Sequence, residues 1–320
     1  MYFLVVIAAI AIISYGRIYF FNDIVWDDNC WLLAAYASSN LEQFLNTGFY
    51  ELRRVPMGAF LYYLFSLHKT TNHPYLIWHT INIIVQVITP VFLYLFIKGL
   101  FRGKEALSLF IAVSFVAFPL DYTLPYLTVI SYRIAIMLTM ISFYLTVKAL
   151  EKDKPEYFLF LTAILMSTIS YYAFLEMTIV FEGARLFVIG YIFYKRDSKG
   201  KFLIKDTIRY WLTFFLFCIP LIIYKLTFKP YGIYEGIYKT NFLFPLEWKE
   251  HAKMIRILLF YQWKIFWGYR GDVRFWTIII SVLASIVGYI FLKRLPNIVN
   301  GITLQSNDIL KNLYFKERLF

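Results

Sequence analysis

The sequence predicts an all-α bundle of transmembrane helices, on three observations. Of 320 residues, 60% are hydrophobic and 21% aromatic, and mean hydropathy is +0.61. Only 16% are charged, against roughly 25% in a typical soluble domain. Several apolar runs reach the roughly 20 residues that carry a helix across a bilayer. In such a chain a net charge of +12 reflects Lys and Arg in cytoplasmic loops and does not indicate nucleic acid as a partner.

About eight spans follow in order, near 1–20, 75–97, 105–120, 127–147, 156–175, 177–194, 208–227 and 275–292. The first, opening "MYFLVVIAAIAII", has no basic n-region and no small-x-small cleavage site, so it reads as a retained membrane helix and not a signal peptide. The run 57–68, "MGAFLYYLFSLH", is too short to span and is expected as a helix on the membrane surface. The aromatic, amphipathic run 256–267, interrupted by Lys264, reads the same way.

Charge then assigns sides. Lys98, Arg102 and Lys104 follow the second span, Lys148, Lys152 and Lys154 the fourth, and Lys195, Arg196, Lys199, Lys201 and Lys205 the sixth. Lys293 and Arg294 follow the eighth. Every second junction is basic, hence cytoplasmic, and the segment 22–74 with its acidic cluster is external. The loop 228–274, expected outside, breaks the pattern with eight Lys and Arg, from Lys229 to Arg274. The chain reads as one membrane domain, 1–294, followed by a short cytoplasmic tail, 295–320. Cys30 and Cys218 form no disulfide or metal spacing and are expected to be packing residues. No Gly-rich phosphate loop, H-E-x-x-H or G-x-S-x-G is present.

Chemistry concentrates in a few polar residues. Asp27 and Asp28 open the helix-like stretch "DDNCWLLAAYASS". By residue type alone the pair suits a proton acceptor and a helix cap equally. Arg53 and Arg54 precede Pro56, which suits a first helical turn; they can contact lipid phosphate, bulk or donor. His79 and Asn82 share a helical face, as substrate contacts or as an interhelical hydrogen-bonding pair. Arg133 sits near the outer end of an apolar run, where a charge is costly; it reads as a phosphate clamp or as a snorkelling interface arginine. Glu182 and Arg185 are spaced to pair, whereas Glu176 has no local partner in the sequence and is the better site candidate. Asp121, in the short loop "PLDYTLPY", is expected to be solvated.

The order of these features resembles the GT-C superfamily of membrane glycosyltransferases, and most closely the protein O-mannosyltransferases and bacterial relatives that use polyprenyl-phosphate sugars. The resemblance covers about 1–230 and rests on the acidic pair in the first external loop, Asp27–Asp28, on Arg53, Arg54 and Pro56, on His79 and Asn82, on Arg133, and on Glu176. It implies a polyprenyl-phosphate-linked sugar as donor and a lipid, glycan or protein acceptor. The site would lie on the extracytoplasmic side of a bacterial or archaeal plasma membrane, in contact with membrane lipids. It favours Asp27 as base, with Asp28 a candidate ligand for a divalent cation, Mg or Mn. It implies substrate contacts from Arg53, Arg54, His79, Asn82, Arg133 and Glu176. The phosphate leaving group is a stable anion, so one base and cationic partners suffice, and direct attack inverts the anomeric centre. The sequence departs from the family pattern in that no soluble external C-terminal domain is expected within these residues and no His/Glu pattern lies between Pro119 and Arg133. Two other readings compete. A surface-polysaccharide polymerase or ligase would rely on external Arg and His and need no early Asp pair. A transporter or lipid flippase would show repeat symmetry with matched Gly or Pro breaks, and the sequence, with 14 Gly, shows none.

Overall fold

The computed structural model describes residues 2–15, 27–51, 54–117, 128–152, 154–174, 176–196, 201–227 and 231. All fall in the first of two compact units, Met1–Thr240. Among them the regular structure is helical, with no strand. The chain forms α1 (Tyr2–Tyr15), α2 (Asp27–Ala37), α3 (Leu41–Leu45), α4 (Val55–Thr70), α5 (Pro74–Leu100), α6 (Glu105–Ala117) and α7 (Ile130–Ala149). Next come α8 (Tyr157–Ile169), a π turn (Ser170–Phe174), a 3-10 turn (Glu176–Val180), α9 (Phe181–Lys195) and α10 (Lys201–Thr227).

Five segments among the described residues are long and apolar enough to cross a membrane: Pro74–Leu100, Ile130–Ala149, Tyr157–Phe174, Met177–Lys195 and Leu203–Tyr224. This is an integral membrane protein. Phe3–Ile13 and Glu105–Val116 are shorter apolar helices, and they coincide with the expected spans 1–20 and 105–120. The expected span 275–292, the surface run 256–267, the loop 228–274 apart from residue 231, Asp121 and the boundary at 294 lie outside the described residues.

Three expectations change in detail. The run 156–175 is not one regular helix: α8 stops at Ile169 and yields to the π turn. The helix expected from 208 begins at Lys201, because no Gly or Pro interrupts 201–208 and its Lys201, Leu203 and Lys205 are good helix formers. Cys218 is buried, but Cys30 is exposed and does not pack.

The helices α5 and α7 run parallel. Arg133 meets Asn82 near their N-terminal ends, Phe143 meets Phe96 further along, and Glu151 meets Arg102 just beyond their C-terminal ends. Inside a bilayer apolar side chains gain little by leaving lipid for protein, so close packing and buried hydrogen bonds must hold such a pair. The sequence supplies both through α7, whose buried positions include Ser131, Ala135, Thr139, Ser142, Thr146 and Ala149. These recur every three or four residues along one helical face. Ser142 Oγ donates to the Ala163 carbonyl at 2.5 Å, and Ser170 Oγ donates to that of Ala135 at 2.8 Å. Around them Phe96, Leu100, Phe143, Ile164, Ile189 and Phe214 form the main apolar core.

A second apolar cluster docks α2, α3 and α4 onto the opening turns of α5 and α7, through Leu32, Phe44, Phe49, Leu61, Phe65, Trp78 and Ile130. Pro56 sits in the first turn of α4, as expected. Trp78 is fully buried and satisfies its indole by donating to the Leu64 carbonyl at 2.7 Å.

The basic junctions meet at the other end. Glu151 pairs with both Arg102 and Lys148 at 2.8 Å, and Lys98 with Glu105 at 2.7 Å. Lys195 donates to the Leu100 carbonyl, and Arg196 to the carbonyls of Leu150 and Lys152. The hydrogen bond from Lys148, ahead of the Arg102 charge, holds the Glu151 carboxyl below its ordinary value. Three junctions far apart in sequence are thereby stapled on one side of the bundle.

Candidate functional site

The site is built where α2, α5 and α7 begin. Asp27 and Asp28 open α2. Asp28 is 1% exposed, and its Oδ1 accepts a hydrogen bond from the backbone N–H of Thr128 at 2.9 Å. Thr128 lies just ahead of α7, where unpaired backbone donors and the helix dipole favour a carboxylate. The Thr128 carbonyl in turn accepts from Ser131 Oγ at 2.8 Å, which pins the first turn of α7.

On α7, Arg133 lies five residues beyond Thr128. It is 7% exposed and donates from Nη1 to Asn82 Oδ1 at 3.0 Å. The snorkelling alternative therefore does not hold: the guanidinium points inward. Asn82 is fully buried, and His79, one turn earlier on α5, is 2% exposed. The His79 ring stacks on Tyr75 at 6.3 Å between centroids. Gln86, one turn later, is also buried. Four sequence candidates, Asp28, His79, Asn82 and Arg133, are thus gathered at one end of the α5–α7 pair.

The remaining candidates divide. Arg54 is the N-terminal residue flanking α4, and its carbonyl accepts from Gly58 N–H at 2.8 Å. Glu176 opens the 3-10 turn that follows the π turn. The side chains of Asp27 and Glu176, and Arg53 altogether, lie outside the described residues. The π turn packs near α4, where Phe174 meets Phe60 edge to face at 5.5 Å.

Glu182 and Arg185 pair as their spacing predicts, and the structure adds what the spacing did not. Arg185 is fully buried. It reaches Glu182 at 2.6 and 3.1 Å, Thr146 at 2.6 Å, Ser142 at 3.0 Å and Ser167 at 3.1 Å. The guanidinium also lies over the rings of Phe143 and Phe214, 4.4 and 4.1 Å from their centroids. With hydrogen bonds from all three of its nitrogens and two rings against it, this guanidinium holds α7, α8, α9 and α10 together and is not poised to receive a substrate.

Among the described residues no three His, Cys, Asp or Glu side chains gather into a set that could hold a metal ion. Asp28 brings one carboxylate, and its Oδ1 is engaged by an amide. The described residues alone therefore do not make a divalent-cation cage.

Thr128 is the contact within this candidate site that sequence reasoning missed. Its side chain carries no signal, because its backbone amide does the binding. Comparison with protein-family models, with curated proteins and with solved structures gives no match for this chain.

Proposed function

We propose that the chain is a GT-C-type glycosyltransferase with about eight spans, moving a sugar from polyprenyl phosphate to an extracytoplasmic lipid, glycan or protein acceptor with inversion. The hydrogen bond from Thr128 N–H to Asp28 carries this reading. It brings the acidic pair, remote in sequence, to the start of the helix that bears Arg133. A proton acceptor and an anion clamp are needed in one place for this reaction, and the resemblance in the order of motifs supplies the donor class.

In the proposed step Asp27 takes the proton from the acceptor hydroxyl or amine. The acceptor atom attacks the anomeric carbon, and the bond from that carbon to the phosphate oxygen breaks with its electron pair on the phosphate. Arg133, aided by Arg54, Arg53 and His79, steadies the departing anion. Glu176 and Asn82 position the acceptor and the arginine. Asp28 holds α2 in place. A divalent cation, if used, has Asp28 as one ligand, and no step above depends on it.

The test is transfer by the purified protein in detergent, with a polyprenyl-phosphate sugar as donor. Asp27→Asn is expected to lower turnover by about 10²–10⁴-fold, the usual weight of a general base. Asp28→Asn keeps an oxygen for the Thr128 amide and is expected to lose less. Wild-type turnover in Asp27→Asn, with unchanged folding, would refute the assignment.

A further inference from the structure

The helix carrying the acidic pair is held at its far end as well. With 11 residues, α2 is too short to be stable by itself in water, so its contacts decide its position. At the N-terminal end the contact is Asp28 on the Thr128 amide. Along the middle, Leu32 and Ala35 are buried, and Trp31 packs on Phe49 at 4.5 Å and on Phe44 at 6.1 Å.

At the C-terminal end, two consecutive residues from the last turn of α4 grip the last turn of α2. Lys69 Nζ donates to the Ala35 carbonyl at 2.6 Å and to the Ser38 carbonyl at 3.3 Å. The same ammonium lies 5.5 Å from the centre of the Tyr36 ring. Tyr36 Oη and His68 Nδ1 are joined by a 2.8 Å hydrogen bond, and their rings meet edge to face at 5.4 Å. Ser38 closes the remaining gap, its N–H and its Oγ both reaching the Ala34 carbonyl, at 3.0 and 2.7 Å. A cation at a helix C-terminus answers the carbonyls that the helix leaves unpaired and the negative end of its dipole. The long lysine stem lets the charge travel along Tyr36 while the residue stays mostly at the surface.

We propose that Lys69, seconded by His68, is a positioning residue that fixes the tilt of α2 and thereby the placing of Asp27 and Asp28 at its opposite end. The consequence for turnover rests on the transferase reading, whereas the strap itself does not. With one end tied by Asp28 and the other by Lys69, α2 has no free end about which to pivot. Losing either tie turns it into a lever.

Hydrogen exchange on the purified full chain, followed by mass spectrometry, tests this. Lys69→Met keeps the stem and removes the donors, whereas Lys69→Arg keeps donors and charge. Lys69→Met is expected to speed exchange of the α2 amides at least about tenfold, consistent with loss of one charge-assisted hydrogen bond, with α8 unchanged and with Lys69→Arg near wild type. In the transfer assay Lys69→Met is expected to lower kcat about tenfold at unchanged KM, with recovery in Lys69→Arg. Unaltered α2 exchange in Lys69→Met overturns the strap, and so does acceleration spread equally over α8. Faster α2 exchange with unchanged kcat overturns the positioning role. Full turnover in Asp27→Asn overturns the transferase reading instead.

Discussion

Arg185 shows what a charge needs in order to sit wholly inside this bundle. Taking an ion pair from water is costly, and removing one partner leaves the other stranded. Arg185→Met leaves the buried Glu182 carboxylate without its counter-charge; the expected loss is about 3–5 kcal/mol. Replacing both members, as Glu182→Met with Arg185→Met, removes the stranded charge and is expected to cost less than either single change. Thermal unfolding in detergent measures this; a double variant no better than additive would show that the pair acts as two separate residues. The sequence made part of this cluster legible, because Glu182 and Arg185 stand three apart on one helix. Its hydroxyl partners lie 18 to 43 residues away, and no local pattern announces them. The same holds for Asp28, whose partner Thr128 is 100 residues distant. Cys30 is the opposite case. In α2 the positions 28, 32 and 35 are buried while 29, 30 and 33 are exposed, so helical periodicity places Cys30 outward and outweighs the usual preference of cysteine for interiors.

The helix α4 is held close to its neighbours by the absence of a side chain. A Cβ on Gly58 would lie 2.5 Å from Phe49 Cγ and 2.6 Å from Leu45 Cδ2. Both neighbours are buried, and the ring carbon is the stiff end of its side chain. Gly183, in the first turn of α9, would meet nothing within 4 Å. In a helix, Ala is favoured over Gly by about 1 kcal/mol, whereas overpacking costs about 1–3 kcal/mol. Gly58→Ala is therefore expected to lower the melting temperature and Gly183→Ala to raise it. Equal shifts of the same sign in a detergent melt would mean that the α3–α4 contact has slack that the geometry does not show. The long apolar helices were readable from hydropathy, whereas the short α3 was not, and Pro56 and Pro74 mark the starts of α4 and α5. The π turn after α8 was not readable. Apolar content continues through Ser170–Phe174, and what changes is the backbone, where Ser170 bonds the Ala135 carbonyl, Thr139 and Thr178. Those partners come from other parts of the chain, so a sum over local residues cannot contain them.

At the scale of the whole bundle, the charge pattern and the packing agree on polarity. Lys98, Lys148 and Lys195 occupy the last turns of α5, α7 and α9, and Glu105, Glu151 and the carbonyl of Leu100 tie those junctions together. Asp28, Asn82 and Arg133 lie at the opposite end of the parallel α5–α7 pair. If the basic end faces the cytoplasm, the acidic pair faces out, as the proposed transfer to an outside acceptor requires. The chain carries its own reporter of this: of its two cysteines, Cys30 is exposed and Cys218 buried. A membrane-impermeant maleimide applied to intact cells is expected to label Cys30. On a Cys30→Ser background, a cysteine placed at the exposed Lys154 is expected to react only after permeabilisation. Two residues at opposite ends of one bundle cannot share a side of the membrane, so the two labelling results must differ. The reverse assignment, with Cys30 protected and position 154 open, would put the acidic pair in the cytoplasm and remove the basis for an extracytoplasmic transferase.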